Sequence, residues 1–209
     1  MGERSKCVHA ALAYEASRRL GQVVAPTEQP SQYVDGIRSG RALADLASVW
    51  GSGVAFTDLD PGQLRRAAAA LKDIFTGYGD GARGLVAVGY ADGTGHVFNV
   101  ENVRGRVIFP DALDGKLDAR YRLKGALPAS GDGKPVPVNY IGYMRTDDSN
   151  PSPGAMEAFL RLPDGVTAEQ LGPPAPPAPA VDAPGQMPSA HPNPPGSSAV
   201  LQALNPPGR

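Results

Sequence analysis

Apolar residues recur at helical spacing in three stretches of the first half of the chain, residues 7–20, 41–50 and 61–77. Each stretch places apolar side chains three or four residues apart, which is typical of a helix with one buried face. The third is the best delimited, because Asp60 can cap it and Pro61 suits the first helical position. The apolar positions are Val8, Ala11, Leu12 and Leu20, then Leu43, Leu46, Ala47 and Trp50, then Leu64, Ala68, Leu71 and Phe75.

The pattern changes to short apolar runs between glycine turns after residue 84. Residues 85–90, 96–102 and 106–109 predict three strands, and the short turns between them favour an antiparallel meander. Residues 138–144 predict one more strand. Because helices come first and antiparallel strands later, the sequence predicts an α+β fold.

The sequence predicts one folded domain over residues 3–147, followed by a linker at 148–171 in which residues 155–162 form a short helix. Residues 172–209 are mostly Pro, Ala, Gly and Ser. Such a composition buries too little apolar surface to offset the loss of chain entropy on folding. We therefore expect a disordered, Pro-rich C-terminal tail.

The overall composition narrows the function classes. The net charge of −1 gives no general attraction to nucleic acid or to an anionic membrane, so we expect neither as a partner. A single cysteine excludes an internal disulfide and a thiolate metal cluster, and the three histidines form no HExxH pattern. No metal or cofactor is therefore expected. No apolar run approaches the ~18 residues of a membrane helix, and no signal-peptide pattern is found.

The one cysteine, Cys7, opens the first predicted helix. Unpaired N–H groups and the helix dipole favour an anion there, and Lys6 adds positive charge, so the reactive thiolate is favoured. A lone cysteine is also commonly a small apolar core residue, and its position alone does not decide between the two interpretations. His9 on the same helix, and Asn99 and Glu101 on the second strand, are interpreted as structural.

Two further residues strengthen a catalytic interpretation. His96 opens the second predicted strand after a tight turn, and Asp111 directly follows the third. If these strands pair through the turn at 104–105, Asp111 can orient His96 while Cys7 approaches from the other side, as in Cys-His-acid hydrolases. The alternatives are a core or turn histidine at 96 and a turn-capping aspartate at 111, with Asp114 as a rival acid.

Three sequence blocks occur in a set order: Cys7 with its helix as far as Pro26, the histidine strand Gly95–Asn102, and the following strand with Asp111. Together with the strand before His96 they cover about residues 5–115. In this order they resemble the papain-fold toxin family of bacterial polymorphic toxins, in its protein-glutamine deamidase type. Two positions depart from the family pattern: Lys6 stands where members often have Asn, and Leu113 where they often have Gln.

The resemblance implies a papain-like cysteine hydrolase that deamidates glutamine side chains of a target protein, as a toxin or effector. Cys7 would be the nucleophile, His96 the general acid and base, and Asp111 the orienting acid. The Cys7 N–H and one further donor, for which Ser5 and Lys6 are candidates, would hold the oxyanion. The implied partners are the target protein and an immunity protein. The implied location is the bacterial cytoplasm, or a target cell reached through a dedicated secretion system.

Three alternatives stay open from the sequence. A papain-like protease or deubiquitinase would use the same triad with an extended groove for a peptide backbone. A transglutaminase-like enzyme would let an amine replace water. A catalytically inactive binding module would offer polyproline segments of its tail to a partner, and the departures at Lys6 and Leu113 keep this alternative open.

Overall fold

A five-stranded antiparallel sheet is the centre of the fold. The structure, a computed structural model, describes residues 6–27, 41–51, 54–125 and 135–172. In chain order the strands are β1 (Ala25–Pro26), β2 (Thr57–Asp58), β3 (Arg83–Tyr90), β4 (Gly95–Val103), β5 (Arg106–Ile108), β6 (Val138–Arg145) and β7 (Leu160–Arg161). The large sheet has the order β2-β6-β3-β4-β5, and β1 pairs with β7 separately.

Helices pack on both faces of this sheet. They are α1 (Lys6–Leu20), α2 (Arg41–Ser48), α3 (Pro61–Leu64), α4 (Ala67–Gly77) and α5 (Pro153–Glu157), with 3₁₀ helices at Ala119–Lys124 and Ala168–Leu171. Alternate residues of β3 divide between two core clusters: Leu85 and Ala87 join α1, whereas Val86 and Val88 join α4. The predicted α+β class is therefore confirmed, and β3 is buried on both faces.

The predicted antiparallel meander is also confirmed. Strands β3 and β4 pair with Val88 opposite His96, and β4 pairs with β5. Arg104 and Gly105 both have positive φ values, 52° and 78°, as two-residue hairpin turns that match the strand twist require. Strand β6, the last one predicted, pairs with the other edge of β3.

The third predicted helix is wrong in one respect, because it is two helices. Arg65 and Arg66 separate α3 from α4, and Arg66 lies outside the helical region with φ −129° and ψ 34°. Helix α3 buries no residue, whereas α4 buries an apolar stripe that includes Leu71 and Phe75. Because of this break, the apolar stripe of α4 packs against the sheet while α3 stays unburied.

The folded part extends past the predicted domain end at residue 147. Met156, Phe159 and Leu171 are each at most 1% exposed and belong to the same core cluster as α1. Residues 148–171 are thus part of the core and not a linker. The helix predicted at 155–162 is α5 followed by strand β7. The predicted tail, apart from Gly172, lies outside the described residues.

Candidate active site

Side-chain contacts fix how α1 lies along β4. The Asn99 amide Nδ2 donates a hydrogen bond to the backbone oxygen of Ala11 at 3.0 Å. One turn further on, the Tyr14 hydroxyl donates to Glu101 Oε2 at 2.6 Å. Because these contacts follow the same order along both elements, the first turn of α1 lies beside the first residues of β4. The structural interpretation of Asn99 and Glu101 agrees with these contacts.

Cys7 and His96 meet at this end of the two elements. They are 4% and 7% exposed, and the Cys7 side chain lies close enough to the His96 imidazole to raise its pKa. Helix α1 begins at Lys6, so Cys7 lies in its first turn. The N–H groups of a first turn have no partner within the helix, and the backbone at Cys7 therefore favours negative charge.

Asp111 reaches His96 through the pairing of β4 with the chain after β5. The Asn99 N–H donates to the backbone oxygen of Pro110 at 2.9 Å, which brings the next residue alongside His96. His96 Nε2 then lies 2.9 Å from Asp111 Oδ2, and Asp111 is 1% exposed. The imidazole also stacks on Phe98, with ring centroids 6.2 Å apart.

The protonation of the His96–Asp111 pair follows from its surroundings. Burial alone would lower the pKa of His96, but the hydrogen bond to the Asp111 carboxylate and the nearby Cys7 side chain outweigh it and raise the pKa to about 9. Burial alone would raise the pKa of Asp111, but the bond to His96 and the charges of His96 and Arg122 lower it to about 2. At neutral pH the pair is therefore an imidazolium and a carboxylate.

Sequence reasoning missed two residues that contact Asp111. The Tyr121 hydroxyl and Arg122 Nε donate to Asp111 Oδ2 at 3.2 and 3.3 Å. The same two side chains bind Asp114 Oδ2 at 2.6 and 2.7 Å, whereas the acid bonded to His96 is Asp111. Tyr121 and Arg122 lie on the 3₁₀ helix Ala119–Lys124, beyond a loop with no periodic pattern, so their approach is a tertiary contact without a local signal.

Tyr90 is a third neighbour of the site. Its hydroxyl donates to the backbone oxygen of Arg122 at 3.3 Å and ties the end of β3 to the 3₁₀ helix. Burial raises the pKa of Tyr90 to about 12, although the positive charge of Arg122 opposes this effect. In the sequence Tyr90 reads only as the last apolar residue of a strand.

Other predicted residues lie away from these contacts or outside the description. His9 is buried, with Nδ1 3.0 Å from Thr27 Oγ1 and its ring edge-on to Phe159, which agrees with a structural role. Leu113 is 38% exposed, and Ser5 lies outside the described residues.

Within the described ranges no group of three or more His, Cys, Asp and Glu side chains could hold a metal ion. No helix among the described residues is long and apolar enough to cross a membrane.

The comparisons with known proteins bear on this same segment. The sequence model of a family described as papain fold toxin 1, glutamine deamidase, matches residues 5–116, more than half of the 209 residues. The chain belongs to this family. The family match ends before Tyr121 and Arg122, so it includes the three candidate catalytic residues but not the two that support Asp111. Neither the curated proteins nor the solved structures contain a match.

Proposed function

We propose that this member of the papain-fold toxin family is a cysteine hydrolase that deamidates glutamine side chains of a target protein. Cys7, His96 and Asp111 would act as its nucleophile, general acid and base, and orienting acid. The observation that carries the proposal is the buried pair of His96 and Asp111, 2.9 Å apart, with the Cys7 side chain close enough to raise the pKa of His96. All three residues lie within the segment that the family model matches.

The first half of the reaction forms a thioester. His96 Nε2 is bonded to Asp111, which leaves Nδ1 as the ring nitrogen that would exchange protons at Cys7 and the substrate. The Cys7 thiolate attacks the side-chain carbonyl carbon of glutamine, and the resulting oxyanion is held by N–H groups of the first turn of α1. The imidazolium gives its proton to the amide nitrogen, the C–N bond breaks and ammonia leaves.

The second half releases glutamate. Neutral His96 removes a proton from a water molecule, whose oxygen attacks the thioester carbon. The C–S bond breaks, the Cys7 thiolate departs, and the imidazolium is restored. Asp111 keeps one orientation of the ring throughout, and its negative charge stabilises the imidazolium.

The test compares the full chain with Cys7→Ala and His96→Gln, using a denatured glutamine-rich protein as substrate. Ammonia release is followed with time, and mass spectrometry inspects the products. We expect glutamine-to-glutamate changes in an intact backbone, and both substitutions should reduce the rate to that without protein. His191→Gln, at a histidine outside the described residues, is the matched control and should retain the rate.

Other outcomes would overturn the proposal. Backbone cleavage without ammonia would favour a protease, and incorporation of an added amine in preference to water would favour a transglutaminase-like enzyme. No product, combined with slow alkylation of Cys7 by iodoacetamide near neutral pH, would favour the inactive binding module.

A further inference from the structure

Two adjoining surface depressions are lined by cations. One, of about 690 Å³, lies between the α3–α4 junction and the 3₁₀ helix Ala119–Lys124; the other, of about 330 Å³, lies between α4 and β5. Asp118 and Arg120 line both depressions, which we together call the basic groove. The cations of the basic groove are Arg65, Arg66, Lys72, Arg106, Arg120 and Lys124.

The charge of the basic groove is strongly asymmetric. Its one acid, Asp118, forms a two-pronged ion pair with Arg120 at 2.5 and 2.7 Å. The other five cations are exposed and form no ion pair within the described part of the chain. The whole chain has a net charge of −1, so this attraction for anions is local. Clustered like charges in a concave surface raise the local potential and attract a complementary partner.

The basic groove adjoins the candidate active site through Tyr121. Tyr121 lines the larger depression, and its hydroxyl donates to Asp111 Oδ2 at 3.2 Å. Asp111 is in turn bonded to His96. The wall of the basic groove is thus two hydrogen bonds from the imidazole.

We propose that the basic groove binds an acidic segment of the target protein and so brings that protein's glutamine to Cys7. This inference rests on the proposed function. A glutamine side chain is small and neutral and gives little binding energy, so recognition of a protein target needs contacts elsewhere. Exposed guanidinium and ammonium groups bind carboxylates through charge-assisted hydrogen bonds.

The lining of the basic groove favours an acidic protein segment over a nucleic acid. Single-stranded nucleic acids bind where bases can stack on open aromatic faces. Phe109 is 1% exposed, and the Tyr121 ring already contacts Lys116 and Arg122 at 4.6 and 4.9 Å.

Binding is tested without turnover, on the full chain carrying Cys7→Ala. The probe is a fluorescent peptide with six consecutive glutamates next to a glutamine, measured by anisotropy at low salt. The double substitution Arg65→Glu/Lys72→Glu, called the groove variant, changes one cation in each depression. The control Arg161→Glu reverses an exposed cation on β7, outside the groove. We expect at least tenfold weaker binding for the groove variant and less than twofold change for the control.

Three results would overturn the inference. The peptide could bind both variants equally, or fail to bind Cys7→Ala at all. A single-stranded oligonucleotide of equal charge could instead bind more tightly than the peptide and be lost in the groove variant, which would assign the groove to nucleic acid. Inorganic phosphate that displaces the peptide at micromolar concentration would assign it to a free anion.

Turnover separates this inference from the proposed function. With Cys7 intact, we expect the groove variant to raise KM for the acidic peptide about tenfold and leave kcat unchanged. A glutamine peptide with serines in place of the glutamates should be deamidated at equal rates by the wild type, the groove variant and the Arg161→Glu control, all with Cys7 intact. If no peptide is deamidated but binding still depends on Arg65 and Lys72, the proposed function fails and the groove assignment stands.

Discussion

Glu15 and Asp111 are both 1% exposed and both paired with arginine, but they hold their partners differently. Glu15 uses both oxygens: Oε1 accepts from Arg19 Nε at 2.8 Å, and Oε2 accepts from Arg83 Nε at 3.1 Å. Arg19 goes on to donate to backbone oxygens, including that of Leu171 at 2.8 Å. Glu15 therefore connects α1 to the C-terminal part of the core, and each of its hydrogen bonds is with an arginine guanidinium.

Asp111 concentrates its bonds on one oxygen. Oδ2 accepts from His96, Tyr121 and Arg122, whereas Oδ1 is buried without a partner in the described ranges. One of the three donors is a histidine, which can gain or lose its proton. The comparison teaches that burial and an arginine partner are common to both carboxylates. The titratable partner and the uneven use of the two oxygens belong to Asp111 and not to Glu15.

Asp111→Asn should give the largest effect on activity. The amide carries no negative charge, so it no longer stabilises the imidazolium, and the pKa of His96 falls. We expect ammonia release to drop by about 10²–10⁴-fold while the circular dichroism spectrum stays that of the wild type. Activity within threefold of the wild type would show that Asp111 does not orient His96.

Glu15→Gln should lower the stability of the fold and leave the activity nearly unchanged. It leaves Arg19 and Arg83 buried or half-buried beside a neutral amide, and loss of one partner from a buried ion pair typically costs about 3–5 kcal/mol of stability. Urea unfolding measures this loss. The rate of ammonia release per folded molecule should remain near that of the wild type. A fall in rate that matches that of Asp111→Asn would erase the distinction between the two carboxylates.

The same comparison explains what the sequence could predict. The hairpin from β4 to β5 has a local signal, a two-residue turn at 104–105 between apolar runs, so the approach of His96 and Asp111 follows from the order of residues. The start of α1 is local as well, because helical periodicity begins at Cys7. These features can be predicted from neighbouring residues and the rules of strand pairing alone.

The parts that could not be predicted depend on distant contacts. Tyr121 and Arg122 carry no periodic pattern, and only the folded chain brings them to Asp111. The core residues after position 147, such as Met156 and Phe159, belong to an apolar run at 155–162 that predicts a short helix, but nothing local shows that this run packs against α1. The break at Arg66 was hidden because the apolar stripe of α4 continues in sequence across it.

The pH dependence of stability should reveal the charged His96–Asp111 pair. The pKa of His96 is about 9 in the folded protein against 6.5 for an unperturbed histidine, so its contribution to stability is complete below pH 6.5 and is lost as the pH rises through about 9. That of Asp111, with its lowered pKa, is complete above 3.8 and is lost as the pH falls through about 2. Between about pH 6 and pH 10 the unfolding free energy of the wild type should fall by about 2–3 kcal/mol more than that of His96→Gln. Equal slopes for the two proteins would mean that the imidazolium is not stabilised by folding.

Arg122→Gln should have the smallest effect on activity. It should shift the basic limb of the pH–rate profile in the opposite direction to Asp111→Asn. The guanidinium helps to hold the Asp111 carboxylate, and its positive charge lowers the pKa of His96. Removal of Arg122 should therefore reduce ammonia release only about tenfold, while the basic limb of the pH–rate profile moves to higher pH. In Asp111→Asn the basic limb should move to lower pH, because a negative charge that stabilises the imidazolium is lost. Arg122→Lys keeps the charge and should keep the position of the limb, although it loses the planar fork that binds Asp111 and Asp114 together. A limb that moves in the same direction in Arg122→Gln and Asp111→Asn would mean that Arg122 acts on the fold and not through the charge of the site.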